Sequence, residues 1–198
     1  MELVFATNNN HKLKEINNIF RELQCNSYKI LSLKDTRLSN LFIDETEDTI
    51  EGNAELKASI VYKLSGIACF ADDTGLEIDA LGGKPGVYSS RFAGEDCDDS
   101  ENRKLVLDLM KEIPETKRTA RFKTVIAYIN QTERELFYGI CQGKITTEEK
   151  GINGFGYDSI FIPDGFEQTF AEMDPDLKNR ISHRSIAFRK FVSYLLSK

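Results

Sequence analysis

The sequence predicts an α/β fold, a mixed central sheet flanked by helices and carrying one long antiparallel hairpin. Apolar runs at residues 2–6 and 67–71 alternate with stretches of helical periodicity, the signature of strands and helices in turn. Two long β-favouring runs, 119–130 and 134–147, are joined by Gln131-Thr132-Glu133, which reads as an extended hairpin and makes the sheet mixed. The 198 residues are 40% hydrophobic with only four prolines and no linker-like stretch, so a single domain over 1–198 is expected.

Each element has its own signal. Residues 2–6 are a buried strand that runs into the polar turn Thr7-Asn8-Asn9-Asn10-His11-Lys12. Leu13, Ile16, Phe20 and Leu23 then recur at three and four residues, the stripe of a helix. A second β segment, 28–33, precedes a polar stretch ending in the acidic run Asp44-Glu45-Thr46-Glu47-Asp48. Ala54, Ala58, Val61 and Tyr62 mark an amphipathic helix that Gly66 stops. The strand 67–71 delivers Asp72-Asp73-Thr74-Gly75 at its C-terminal end, the edge at which ligands of α/β sheets gather. Residues 81–95, rich in glycine and small polar residues, read as an ordered functional loop. Asp98-Asp99-Ser100 caps a helix whose Leu105, Leu109 and Ile113 face inward and which Pro114 ends. After the hairpin, 151–163 form a Gly-rich turn and short strand; from Pro175 onward Leu177, Ile181, Phe188, Val192 and Leu195 fit one helix or two broken near Ser182.

Charge and cysteine usage exclude several classes. With 26 Lys+Arg against 32 Asp+Glu the net charge is −6, so the surface repels polyanions and gains no general counterion-release affinity for DNA or RNA. Cys25, Cys69, Cys97 and Cys141 lack CxxC spacing, which argues against structural zinc and reads as reduced packing thiols. No signal-peptide pattern precedes the turn at Thr7, and no run approaches the ~20 apolar residues of a membrane helix. A cytoplasmic protein is expected.

Three features carry chemistry. Asp72 and Asp73 are adjacent acids whose repulsion a cation or a shared proton would relieve; with oxygen ligands alone nearby, Mg²⁺ is the favoured ion. The acidic run 44–48 by itself reads as a solvated loop, and gains meaning as a second carboxylate arm for that ion. The turn Thr7–Lys12 gathers hydroxyl, amides, helix N–H groups and a lysine, an arrangement suited to anions or simply to capping. Near the C-terminus, Phe155-Gly156-Tyr157-Asp158 could stack a base while His183 or Arg184 of Ser182-His183-Arg184 reads its edge; a core aromatic and a helix cap are the plainer uses. Lys57, Lys84, Arg91 and Lys178 read as surface cations.

Together TNNNHK, DETEDTIEGNAELKA, ADDTGLEIDALGGKPGVYSSRFAGE, GINGFGYDSIF with PDGFEQTFAEM behind it, and SHRSIAF resemble the non-canonical purine nucleoside triphosphate pyrophosphatases, the family acting on inosine and xanthosine triphosphates. The motifs occur in the family's order and span essentially the whole chain. The resemblance implies a mixed α/β fold whose two lobes enclose a cleft, a homodimer, Mg²⁺, and hydrolysis of ITP, dITP and XTP to monophosphate and pyrophosphate. By position it implies that Thr7, Asn8, Asn9, Asn10, His11 and Lys12 form the triphosphate turn and that Lys57 adds a phosphate cation. Glu45 and Asp73 would hold Mg²⁺ with Asp72 close by, and Asp73 would be the general base. Thr74 would touch the nucleotide, Phe155, Gly156, Tyr157 and Asp158 would form the base turn, and Lys178, His183 and Arg184 would complete the purine pocket. Gly52, Asn153 and Ser159 depart from the commoner family pattern, which bears on the shape of the base pocket.

A carboxylate bound to a cation is a poor base, so Asp72 and Asp73 are expected to divide the metal and base roles. A nucleotide-binding regulator without hydrolysis and a metal-dependent monophosphatase are the alternatives. The three acids Glu45, Asp72 and Asp73 argue against the first and the aromatic turn at Phe155 against the second.

Overall fold

The computed structural model describes residues 1–95 and 98–198, so the expectation for Cys97 lies outside the described residues. Strand β1 (Glu2–Phe5) leads into helix α1 (Asn10–Glu22), where Asn9 is the N-cap and its side chain accepts from the N–H groups of His11 and Lys12. β2 (Lys29–Ser32) follows, then α2 (Ile50–Ser65), opened by Thr49 and closed by Gly66 in the left-handed region at φ +69°.

The first departure from the sequence reading comes in β3 (Cys69–Ile78), which continues through Asp72-Asp73-Thr74-Gly75 where the strand was expected to end at Ala71. Asp and Gly favour turns locally, but here tertiary pairing overrides that preference. Cys69 and Phe70 pair with β1, Leu76 and Glu77 pair with β4 (Pro85–Gly86), and Leu76 and Ile78 are buried.

Helix α3 (Asp99–Leu109) is capped by Asp98 and ends before Pro114, leaving Ile113 beyond it. Beyond the helix end the buried Arg118 guanidinium donates to Met110 O and Ile113 O, and also to Ile145 O and Thr146 O at the end of β6. β5 (Thr119–Ile129) and β6 (Arg134–Ile145) form the expected hairpin, tied at its turn by Asn130 N–H to Glu133 O at 3.1 Å. β7 (Phe161–Pro163) pairs antiparallel with β6. The C-terminal pattern resolves into two helices, α4 (Pro175–Ile181) and α5 (His183–Leu196), because Ser182 adopts extended backbone at φ −67°, ψ 152°.

The strand order is β2-β1-β3-β5-β6-β7, with β4 on β3. β1 is parallel to β2 and β3, while β3/β4 and β6/β7 are antiparallel, so the sheet is mixed. Among the described residues no helix is long and apolar enough to cross a membrane.

The chain divides into two compact units, the first Met1–Asp73, Thr124–Gly139 and Arg184–Lys198, the second Thr74–Lys123 and Ile140–His183. In the first unit Ile16, Ile19 and Phe20 of α1 and Phe188, Phe191 and Val192 of α5 are buried in one core with Phe5 and Phe70, whose rings stack at 4.7 Å. The second unit has its own core around Leu76, Val106, Met110, Phe122, Phe161 and Phe170.

Candidate functional site

Side chains alternate across a strand, so consecutive acids on β3 face opposite sides. That is how Asp72 and Asp73 coexist, each with its own cations and without a shared proton. Asp72 Oδ1 accepts from Lys12 Nζ at 2.9 Å and its Oδ2 from Arg184 Nε at 3.2 Å; Arg184 Nη1 also donates to Glu15 Oε2 at 2.6 Å. Asp73 Oδ1 accepts from Lys57 Nζ at 2.8 Å, and the same ammonium reaches Glu45 Oε1 at 2.6 Å.

These environments drive the two carboxyls apart. Burial alone would raise Asp72, but Lys12, Arg184 and Lys57 outweigh it and hold that carboxyl far below the usual range. At Asp73 burial prevails, pushing the group up to about 6 against Lys57, with the Glu45 charge adding to the rise. Burial lowers Lys12 in spite of Asp72. For Lys57, burial is outweighed by Asp73, Glu45 and Asp72, which raise it. Arg184 is raised likewise, Glu15 and Asp72 together overcoming burial.

Lys57 and Lys178 are therefore not the surface cations expected from sequence, since each is only 8% exposed. Lys57 lies on α2 one turn beyond Asn53, which is fully buried and accepts from Glu47 N–H at 3.0 Å, anchoring the acidic run above the lysine. Lys178 donates to Asp158 Oδ2 at 2.7 Å, and that oxygen also accepts Phe155 N–H at 2.9 Å. Lys178 Nζ stands 5.2 Å from the centroid of the Phe155 ring.

In the turn after β1, the polar groups already have work within the protein. Thr7 Oγ1 accepts from Asn9 N–H, Asn8 donates to Leu41 O, and Asn10 Oδ1 accepts from Lys34. With Asn9 capping His11 and Lys12, the cation the segment brings to the acids is Lys12 itself.

In the second unit, Thr74 follows Asp73 on β3 and is half-buried. Tyr157 is a core residue whose hydroxyl donates to Ser89 O at 2.7 Å. His183 is buried, its ring stacked on Phe122 at 4.5 Å with 16° between planes. Gly156 is held from α3: its N–H donates to Asp99 Oδ2 at 2.7 Å and its carbonyl accepts from Arg103 Nη1 at 2.9 Å.

Sequence reasoning brought Lys12, Lys57, Glu45, Asp72, Asp73 and Arg184 to attention, and the first unit gathers them into two ion-paired groups. It missed Glu15, Asn53, Asp99 and Arg103, which look like ordinary polar positions of helices. For Asp99 and Arg103 the spacing of four residues, one helix face, was the one available signal. Among the described residues no group of three or more His, Cys, Asp or Glu side chains gathers as a metal cage.

The fold and these groups define a mixed-sheet α/β protein with two adjacent acids on one internal strand, each ion-paired to cations supplied by helices. The chain belongs to the Ham1 family, whose sequence profile matches residues 3–194. It is 49% identical over 195 residues to the dITP/XTP pyrophosphatase of Christiangramia forsetii, covering 98% of this chain and 99% of that protein. The dITP/XTP pyrophosphatase of Flavobacterium johnsoniae is 48% identical, with 98% of each chain covered. Among solved structures, a HAM1 protein from Coxiella burnetii superposes with TM-score 0.90 at 36% identity over 100% of both chains. The Staphylococcus aureus Ham1 protein gives 0.88 at 34%, covering 100% of this chain and 99% of that one.

Proposed function

We propose that the protein is a Mg²⁺-dependent nucleoside triphosphate pyrophosphatase that hydrolyses ITP, dITP and XTP to monophosphate and pyrophosphate, as a cytoplasmic homodimer that removes these nucleotides before they enter DNA or RNA. The observation that carries this reading is the pair of carboxylates, Glu45 and Asp73, converging on one cationic centre at Lys57 Nζ beside a separately neutralised Asp72. Full-length relatives named dITP/XTP pyrophosphatases support the activity and substrates. Buried free thiols at Cys25, Cys69 and Cys141 are in keeping with a reducing compartment.

The donor set suits Mg²⁺: two carboxylates that already face one positive centre, oxygen only, with substrate phosphates to supply the remaining positions. Glu45 and Asp73 would hold the ion, which supplies polarisation of phosphoryl oxygen and neutralises charge.

Formation of a monophosphate and pyrophosphate requires water to cleave the α–β phosphoanhydride bond, in this reading by attack at the α-phosphorus with pyrophosphate leaving. Of the two adjacent acids, Asp72 is held as a carboxylate by Lys12 and Arg184 and is a poor base, while Asp73, raised to about 6 by burial before the ion binds, would be lowered as its ligand and would orient the attacking water rather than act as a strong base. Asp72 therefore orients cations: Lys12 toward phosphate, and the Arg184 guanidinium together with Glu15. Lys12 and Lys57 would offset charge on the departing pyrophosphate. Thr74 would contact the nucleotide.

Base choice turns on the purine 6-position, a carbonyl in hypoxanthine and xanthine and an amino donor in adenine. Phe155 would stack on the base. A donor from Arg184, His183 or a backbone N–H rewards the carbonyl and is left unpaired opposite adenine, a penalty of ~1–3 kcal/mol. Arg184→Ala is accordingly expected to erode selectivity for ITP over ATP; a uniform loss of rate with an unchanged ratio counts against that role.

Incubation with ITP and Mg²⁺ followed by product analysis tests the whole reading. Pyrophosphate is expected; orthophosphate would mean a phosphatase, and no product a binding protein. Asp73→Asn is expected to lower kcat by ~10²-fold or more.

A further inference from the structure

We infer that Asp99 and Arg103, on helix α3, are positioning residues that set the conformation of the Phe155–Asp158 turn and through it recognition of the purine base. The inference rests on the proposed function for its consequence, but not for its geometry.

Gly156 has φ +60°, a region open chiefly to glycine, and glycine is the residue least able to hold one conformation by itself. Its N–H belongs to the peptide before it and its carbonyl to the peptide after it. Asp99 takes the first at 2.7 Å and Arg103 takes the second at 2.9 Å, so both peptide planes around one Cα are pinned and φ and ψ are fixed together. Both contacts involve a charged group, which makes them stronger than neutral hydrogen bonds.

The grip is mounted on a rigid element. Asp99 and Arg103 lie four residues apart on one face of α3, which is N-capped by Asp98 and buries Val106 in the core of the second unit. Arg103 is itself oriented, its Nε donating to Glu149 Oε2 at 2.7 Å, and Ser159 Oγ donates to the same carboxylate at 2.9 Å. On the other side of the turn, Asp158 accepts Phe155 N–H and Lys178 stands over the Phe155 ring. Release of Gly156 frees a joint in this turn that its own residue cannot hold. The Phe155 ring would then lose its fixed direction, while the Asp73 group in the other unit is untouched.

The test uses the full chain with Asp99→Ala, Asp99→Asn, Arg103→Ala and the double alanine variant. Amide exchange at Gly156, followed by NMR, is expected to accelerate at least ~10-fold in both single alanine variants and to stay near wild type in Asp99→Asn, whose amide oxygen still accepts. Unchanged exchange in the alanine variants overturns the clamp whether or not the protein hydrolyses any nucleotide. With ITP and XTP the alanine variants are expected to raise KM ~10-fold with kcat within about twofold, and the double variant to cost less than the two singles combined because both act on one joint. A fall in kcat at constant KM, or fully additive effects with a matching loss of melting temperature, would assign the two residues to general stability and refute the positioning role. If the wild type forms no product from any of the three substrates, the proposed function fails, and the exchange measurement still decides the clamp.

Discussion

Asp72 and Asp73 share a backbone and little else. One is an ion-paired carboxylate whose partners lie 60 and 112 residues away in the chain; the other is a buried acid whose pKa stands at about 6. The sign of the resulting pH effect follows from the direction of the shift. A carboxyl whose folded pKa exceeds its ordinary 3.8 contributes stability that is fully present below 3.8 and is lost as pH rises through about 6. In chelator-treated protein, Asp73→Asn removes that loss. Wild type is therefore expected to fall in stability relative to the variant as pH rises from about 4 to about 7, read by urea unfolding at each pH. An unchanged difference would show that burial does not raise Asp73. Asp72→Asn should lower kcat/KM through Lys12 and Arg184, and the orienting role is refuted if it turns over ITP normally with normal Mg²⁺ dependence. At Cys141 burial lifts the thiol to about 11, with Asp164 adding to the rise. Its alkylation at pH 8 is accordingly expected to run ~100-fold slower than for a thiol at the ordinary value and to keep rising through about pH 11, where an ordinary thiol has levelled off.

Elements were legible wherever a repeating stripe or a cap announced them. α1, α2 and the β5/β6 hairpin follow from periodicity, the polar turn ending at Lys12, Gly66 and the polar turn at residues 131–133. Periodicity failed where distant residues decided: β3 runs through a turn-like Asp-Asp-Thr-Gly because β1 and β4 pair with it, and α3 stops at Leu109, ahead of Pro114, with Arg118 taking two of the carbonyls that follow it. That guanidinium is 2% exposed and donates to four backbone carbonyls near the end of α3 and β6, where the negative end of the helix dipole also favours a cation. Arg118→Ala is expected to cost ~3 kcal/mol or more by removing four hydrogen bonds from one buried charged group, seen as a lowered urea midpoint. Gly143 marks the close approach of β7 to β6: a Cβ there would meet Ile162 O and come within 2.6 Å of the Phe161 ring. Gly143→Ala should destabilise by ~1–3 kcal/mol through that crowding, measured by thermal unfolding; a neutral effect would mean β7 can move away without penalty.

For the whole molecule, the net charge of −6 combines with cations concentrated against acids in the interior. Lys12, Lys57, Lys178 and Arg184 are matched by Asp72, Glu45, Asp73, Asp158 and Glu15, so the remaining charges carry the acidic balance, and the protein is expected to show no retention on immobilised DNA at about 0.15 M salt. Retention there would overturn the surface reading. By itself the sequence determined the fold class, the alternation of helices and strands, and the motifs shared with the Ham1 family, because all of these reside in local composition, periodicity and short spacings. Only the tertiary structure decided which acid faces which cation, that Lys57 and Lys178 are buried, and that Glu15, Asn53, Asp99 and Arg103 hold the groups around them. Those pairings join segments 6 to 169 residues apart, and opposite faces of one strand separate neighbours that the sequence sets side by side.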